Sequence, residues 1–345
     1  MTILQRLGAE LPVVAAPMAG GASTPRLVVA AHRAGGLGFL AGGYQPPDAL
    51  AAQVEAVRGA GARFGVNLFA PNPQPVDPQE YAVYADALRA VALPLGVDPT
   101  AIPVREDDDG FDAKVALLLG DPVPLVSFTF GFAPADVVAD LQAVGSLTAQ
   151  TVTTVDEAAE AAGWGVDLLV VQSHEAGAHS GTTDPSRPAP PVALEELVVA
   201  VRDRTGLPVW AAGGIADADR VRSVIVAGAE AAMVGTALLR TPESGASETH
   251  KRALADPSRT ETLVTTAFSG RPARALRNGF TDRYAAMAPR GYPAVHHLTS
   301  PLRRAAAAAG DPEALNLWAG TGWRQATAEP AEVVLRRLGG PPGRG

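Results

Sequence analysis

The chain has 345 residues, 47% hydrophobic and 19% charged, with a formal net charge of −8. It can bury a large core, and a modest acidic excess without a basic block argues against nucleic-acid binding. No cysteine is present and lysine is confined to Lys114 and Lys251, which excludes disulfides, thiolate metal sites and a cysteine nucleophile and leaves Schiff-base chemistry without an obvious residue.

Near the N-terminus only Arg6 precedes the apolar run, which Glu10 and Pro12 interrupt, so it makes a poor signal peptide. No stretch approaches the roughly 20 apolar residues that span a bilayer, and a cytoplasmic location with no membrane partner is expected. Val13 to Ala16 is predicted as a strand buried on both faces, with Thr24 capping and Pro25 opening a helix to Ala34. Gly35-Gly36 ends that helix, Leu37 to Leu40 is a second strand, Pro47 to Arg58 a helix, and Phe64 to Phe69 a third strand.

The rhythm then breaks. From about residue 73 to 121 the chain is longer than one crossover helix and carries the acidic run Glu106-Asp107-Asp108-Asp109, expected as a solvated helical excursion rather than a metal site. Alternation resumes with strands Leu125–Phe128, Leu147–Val152, Asp167–Val171, Val209–Ala212 and Ala231–Val234, separated by helices 134–144, 154–162, 194–205 and 217–227. Eight βα steps predict a (β/α)8 TIM barrel of the α/β class; a doubly wound sheet is disfavoured because no Gly-x-Gly-x-x-Gly follows the first strand. The expected division is a barrel over 1–239, a mostly helical C-terminal subdomain over 240–338 packed on it, and a flexible tail over 339–345.

Barrels place their chemistry on loops at strand C-termini. The segment from Gln172 to Gly181, dense in Gly, Ser, His and Glu after the sixth strand, is the principal candidate, with His179 as an acid/base or electrostatic group. Gly213-Gly214 and Gly235-Thr236, after the seventh and eighth strands, suit a phosphate: glycines let backbone N–H groups approach its oxygens and Thr236 adds a hydroxyl. His174 and His179 are five apart on a loop and do not share a helical face as a zinc pair would, so His174 is given no role and no metal is expected. His296-His297 is expected to be exposed or packed, with substrate contact as the lesser alternative, and Trp318 and Trp323 to dock the subdomain.

Several of these pieces form an ordered set: Ala16-Pro17-Met18-Ala19-Gly20, Thr24-Pro25, Ala34 to Gly38, Phe64 to Phe69, Gln172 to Gly181, Ala211 to Ile215, Gly235-Thr236 and Phe268 to Arg274. In them the chain resembles the nitronate monooxygenases, formerly 2-nitropropane dioxygenases. The resemblance implies a TIM-barrel flavoprotein with FMN as cofactor, in which Ala16, Met18, Asn67, Gln172 and Gly177 contact the flavin, Gly213, Gly214, Gly235 and Thr236 hold its phosphate, and His179 is the catalytic histidine. The implied reaction is oxidation of an alkyl nitronate or propionate 3-nitronate by O2 to a carbonyl compound and nitrite through a flavin semiquinone, with a homodimer as a permitted assembly.

Two positions depart from the family pattern Gln-Gly-x-Glu-Ala-Gly-Gly-His-x-Gly: Ser173 and Ala178 stand where it has glycines, and Ala178 would be strained at positive φ. The competing expectations are an FMN-dependent NAD(P)H oxidoreductase acting on quinones or enoyl-acyl-carrier-protein, a non-flavin phosphate-binding barrel isomerase, and a flavin-binding protein without turnover.

Overall fold

In the computed structural model, which describes residues 1–187 and 189–340, the strands are β1 (Val13–Ala15), β2 (Leu37–Ala41), β3 (Phe64–Ala70), β4 (Leu125–Phe130), β5 (Leu147–Val152), β6 (Leu168–Gln172), β7 (Ala178–His179), β8 (Val209–Ala212), β9 (Ala231–Val234), β10 (Thr262–Thr265) and β11 (Ala273–Leu276). Eight of them, β1 to β6 with β8 and β9, form a closed parallel barrel. Pairing of Val13 with Ala232 and of Ala15 with Val234 joins its ends.

Period-two alternation separates two cores. Val14, Phe39, Leu125, Leu168, Val170, Trp210 and Met233 point into the barrel, while Val13, Leu40, Val66, Val126, Val171, Ala211 and Val234 pack outward on the helices. Because both faces are buried, these strands are nearly continuous apolar runs. Ile3, Leu4 and Leu7 of the N-terminal segment join the interior cluster and plug the barrel, and Glu230 accepts the Ile3 N–H at 3.0 Å.

The helical ring is built by Pro25–Ala34, Pro47–Gly59, Phe111–Gly120, Ala135–Ala143, Val155–Gly163, Leu194–Thr205, Ala218–Val226 and, last, Ala331–Gly339. That final helix buries the stripe Ala331, Val334, Leu335 and Leu338 against Pro25–Ala34 and Ala218–Val226. The sequence reading grouped it with the C-terminal region; its packing makes it the partner of β9 in the ring. Of the expected tail, Gly339 ends this helix, and 341–345 lie outside the described residues.

Two long insertions therefore rise from the C-terminal ends of strands, residues 71–110 after β3 and 235–330 after β9. They share one core, in which Val76, Tyr81, Tyr84 and Leu88 meet Phe268, Phe280, Tyr284, Val295 and Leu302. The second insertion was expected to be mostly helical. It also contributes β10 and β11 to an antiparallel sheet in which β11 pairs with β10 on one side and, on the other, with β7 from the loop after β6, as suits the β-branched Thr262, Val264 and Thr265. The acidic run is only partly solvated. Glu106 and Asp108 are exposed, but Asp107 and Asp109 turn inward, Asp109 to a 2.6 Å ion pair with the fully buried Lys114.

Candidate active site

A cavity of about 700 Å³ opens at the C-terminal ends of the barrel strands, beneath the two insertions. Ala16, Met18, Asn67, Gln172, Gly177, His179, Gly213, Gly214, Gly235 and Thr236 all line it. His174 does not; its carbonyl accepts from Arg274 Nε at 2.9 Å.

At one end the backbone itself is the binding surface. Gly213 and Gly214 have φ of 112° and 67°, and a Cβ on them would come within 2.4 Å of Ser173 Oγ and 2.7 Å of Glu175 Oε2, respectively. The N–H groups of Gly214, Gly235 and Thr236 donate to no backbone carbonyl among the described residues. Such free donors on glycine backbone fit a phosphate. Thr236 Oγ1 accepts from Gly320 N at 2.9 Å, tying the cradle to the second insertion.

The Gln172–Gly181 loop is fastened at both ends. Gln172 Nε2 donates to the His179 carbonyl at 3.3 Å while its Oε1 accepts from Gly181 N at 2.7 Å, so this side chain spans the loop it begins. Glu157 takes up Thr182 Oγ1 at 2.7 Å and Thr183 N at 2.8 Å. Ala178 and His179 form β7, paired with Arg274 and Ala273 of β11. Ala178 adopts φ 63°, the strained conformation its Cβ disfavours. Ala178→Gly is therefore expected to raise the unfolding free energy by about 0.5–1 kcal/mol, the relieved strain partly offset by glycine's chain entropy. Urea unfolding checks this; unchanged or lower stability would show that β7 pairing imposes no strain.

His179 sits among aromatic edges, with Phe130, Tyr292 and Trp318 centroids at 5.7, 5.8 and 5.4 Å. Its Nε2 lies 2.8 Å from Ser269 Oγ. Ser269 Oγ is also 3.2 Å from the Arg271 carbonyl, so the hydroxyl holds the ring either by accepting from Nε2–H while donating to that carbonyl or by donating to Nε2 itself. Burial, aided by the charges of Arg271 and Arg303, pushes the His179 pKa down to about 3. The ring is neutral at physiological pH.

Both arginines are buried. Arg271 stacks over Phe130 at 4.1 Å and donates to the carbonyls of Ser180 and Thr182, leaving Nη1 unpartnered. Arg303 donates to Thr299 Oγ1 at 3.0 Å and to His296 Nδ1 at 3.2 Å. Burial lowers each to about 10, so both remain cationic. Among the described residues neither pairs with a carboxylate, and their field favours an anion in the cavity.

Nothing in the sequence singled out Tyr44 and Arg303, which line the cavity, or Ser269, Arg271 and Tyr292, which pack behind its wall around His179 and Phe130. His296, expected to be exposed or packed, lines the cavity and stacks on Tyr44 at 3.9 Å. Ser269 and Arg271 lay within a motif that carried the resemblance, yet nothing local to that motif pointed at His179. Trp318 also lines the cavity. Trp323, by contrast, packs with Leu254, Leu315 and Leu317.

A parallel barrel whose mouth joins a glycine-lined anion cradle to a buried neutral histidine is the build of a flavin-dependent oxidoreductase. A family model described as nitronate monooxygenase matches residues 2–338. The chain belongs to the nitronate monooxygenase family. It is 34% identical over 341 residues to a probable nitronate monooxygenase of Staphylococcus aureus (strain Newman), covering 97% of this chain and 95% of the relative. Among solved structures it is similar to a nitroalkane oxidase from Streptomyces ansochromogenes, with 45% identity, a TM-score of 0.90 and coverage of 98% and 96%. It is also similar to FabK from Thermotoga maritima, with 25% identity, a TM-score of 0.74 and coverage of 97% and 93%.

Proposed function

We propose that the chain oxidises alkyl nitronates, propionate 3-nitronate among them, with O2 to a carbonyl compound and nitrite, using FMN. The observation that carries this reading is the neutral His179 facing a cavity lined by the buried Arg303, with the buried Arg271 stacked behind its Phe130 wall, neither arginine having a carboxylate partner among the described residues. A nitronate is an anion, and such a site lowers its free energy on entry. When bound, FMN supplies the one-electron redox chemistry that no side chain here can. Gly213, Gly214, Gly235 and Thr236 would hold its phosphate, and Ala16, Met18, Asn67, Gln172 and Gly177 would border the flavin.

His179 hydrogen-bonds the nitro group, or takes the α-proton on its unprotonated ring nitrogen when a neutral nitroalkane binds. Ser269 anchors the ring at Nε2. Burial, with the charges of Arg271 and Arg303, keeps the ring unprotonated, and the two arginines offset the substrate's charge.

An absorption spectrum followed by anaerobic titration tests the proposal. The purified protein is expected to be yellow, and its flavin to be reduced by propionate 3-nitronate and not by NADH. Rapid bleaching by NADH alone would favour the NAD(P)H oxidoreductase; a colourless, flavin-free protein would favour the isomerase.

A further inference from the structure

The first insertion places a phenol in the substrate wall through a buried ion pair. Tyr44, in the loop after β2, holds φ 64°, a conformation a bulky residue keeps only where its surroundings over-determine it. Its N–H donates to Asp109 Oδ1 at 2.9 Å, and Asp109 Oδ2 pairs with Lys114 Nζ at 2.6 Å, with the Lys114 side chain 1% exposed. Lys114 also donates to the Asp109 carbonyl, and Asp109 is itself at φ 60°. A buried cation thus fixes the carboxylate that holds the strained backbone.

The ring goes where that backbone aims it. It stacks on His296 with planes 7° apart and meets Phe69 edge-on at 5.1 Å, within the cavity lining. The Tyr292 hydroxyl donates to the Tyr44 hydroxyl at 3.0 Å, and Tyr292 borders His179 at 5.8 Å. Having accepted that bond, Tyr44 keeps its own proton to donate. Burial pushes its pKa up to about 12, so the proton is present at neutral pH.

We propose that Tyr44 donates a hydrogen bond to the substrate's oxyanion in the cavity that His179 also lines, and that Asp109 and Lys114 are its positioning residues. This rests on the nitronate reading for the identity of the anion, but not for the existence of the donor.

Inorganic nitrate, a planar unreactive oxyanion, serves as probe in the flavin-loaded protein, with binding read from perturbation of the flavin spectrum and melting temperature measured in parallel. Tyr44→Phe, which keeps the ring stack, is expected to weaken nitrate binding by about 10-fold at an unchanged melting temperature, as for loss of a hydrogen bond to a charged group. Asp109→Asn with Lys114→Met keeps an acceptor for the Tyr44 N–H without leaving a lone buried cation, and should hold nitrate within about twofold of wild type. Asp109→Leu with Lys114→Met, which leaves no lone buried cation, should weaken it as far as Tyr44→Phe does. Wild-type affinity in Tyr44→Phe, or no nitrate binding by the wild type, would overturn the assignment of Tyr44. Wild-type affinity in Asp109→Leu with Lys114→Met would overturn the positioning role. If nitrate binding depends on Tyr44 while nitronates are not oxidised, the donor stands and the nitronate reading fails.

Discussion

His179→Asn is expected to lower kcat/KM for alkyl nitronates by about 10²-fold or more while leaving the flavin content unchanged. Asparagine can still hydrogen-bond, but it offers no basic nitrogen, and its shorter side chain falls short of Ser269, now 2.8 Å from Nε2. The loss should fall on kcat more than KM if the histidine works chiefly in the transition state. The cradle at Gly213, Gly214, Gly235 and Thr236 makes no use of the ring, which is why flavin retention serves as the control. Turnover within a fewfold of wild type would remove His179 from the chemistry.

The same residue predicts a pH profile. With its folded pKa pushed from 6.5 down to about 3, His179 is already neutral throughout the range in which imidazoles ordinarily titrate. The kcat/KM profile of the wild type should therefore show no step near pH 6–7 that His179→Asn abolishes. For stability the sign runs the other way from a salt-bridged histidine. The unfolded ring takes up its proton below about pH 6.5 and the folded ring only near 3, so the stability it contributes is complete above pH 6.5 and is lost as pH falls toward 3. His250, pushed down to about 4 mainly by burial, acts in the same direction. His179→Asn should flatten this acid limb in part and leave His250's share.

The barrel was legible because strands buried on both faces leave short apolar runs between caps such as Thr24 and Asp217, and every one of the eight was found within a residue or two of its place. What stayed hidden depends on contacts between distant segments. The ring helix Ala331–Gly339 follows β9 in space but 96 residues lie between Val234 and Ala331, so counting along the chain could not attach it to the barrel. Tyr44, His296 and Arg303 are unremarkable in their own neighbourhoods; they gain meaning only where the insertions after β3 and β9 meet. Asp109 looked like one more solvated acid in a charge run, since nothing local shows that Lys114 is buried against it. Gln172 shows the opposite limit. Its position beside the cavity was readable, whereas its use as a clamp across residues 179–181 required the loop's actual path.

Gly177→Ala is expected to cost about 2–4 kcal/mol of stability and to weaken FMN binding by at least about 10-fold, although it adds only a methyl group. A Cβ at residue 177 would lie 2.5 Å from Gly320 N and 2.6 Å from the Ala319 carbonyl carbon. Both are backbone atoms, so no rotamer change can make room and one of the two crossing segments must move. If residues 319–320 move, the 2.9 Å bond from Gly320 N to Thr236 Oγ1 breaks, and with it the link between the cradle and the second insertion. If residues 176–178 move instead, β7 loses its pairing with Ala273 and Arg274, and His179 leaves Ser269. Gly235→Ala separates the two effects. The nearest atom to a Cβ there is Ala16 Cβ at 3.6 Å, an ordinary contact, so the flavin-free fold should melt as wild type while a phosphate approaching that backbone is obstructed. Thermal melts of the flavin-free proteins, paired with FMN titrations, should therefore show both quantities falling for Gly177→Ala and only affinity falling for Gly235→Ala. A Gly177→Ala protein as stable and as yellow as wild type would mean that the close crossing of these segments does not hold the cradle together.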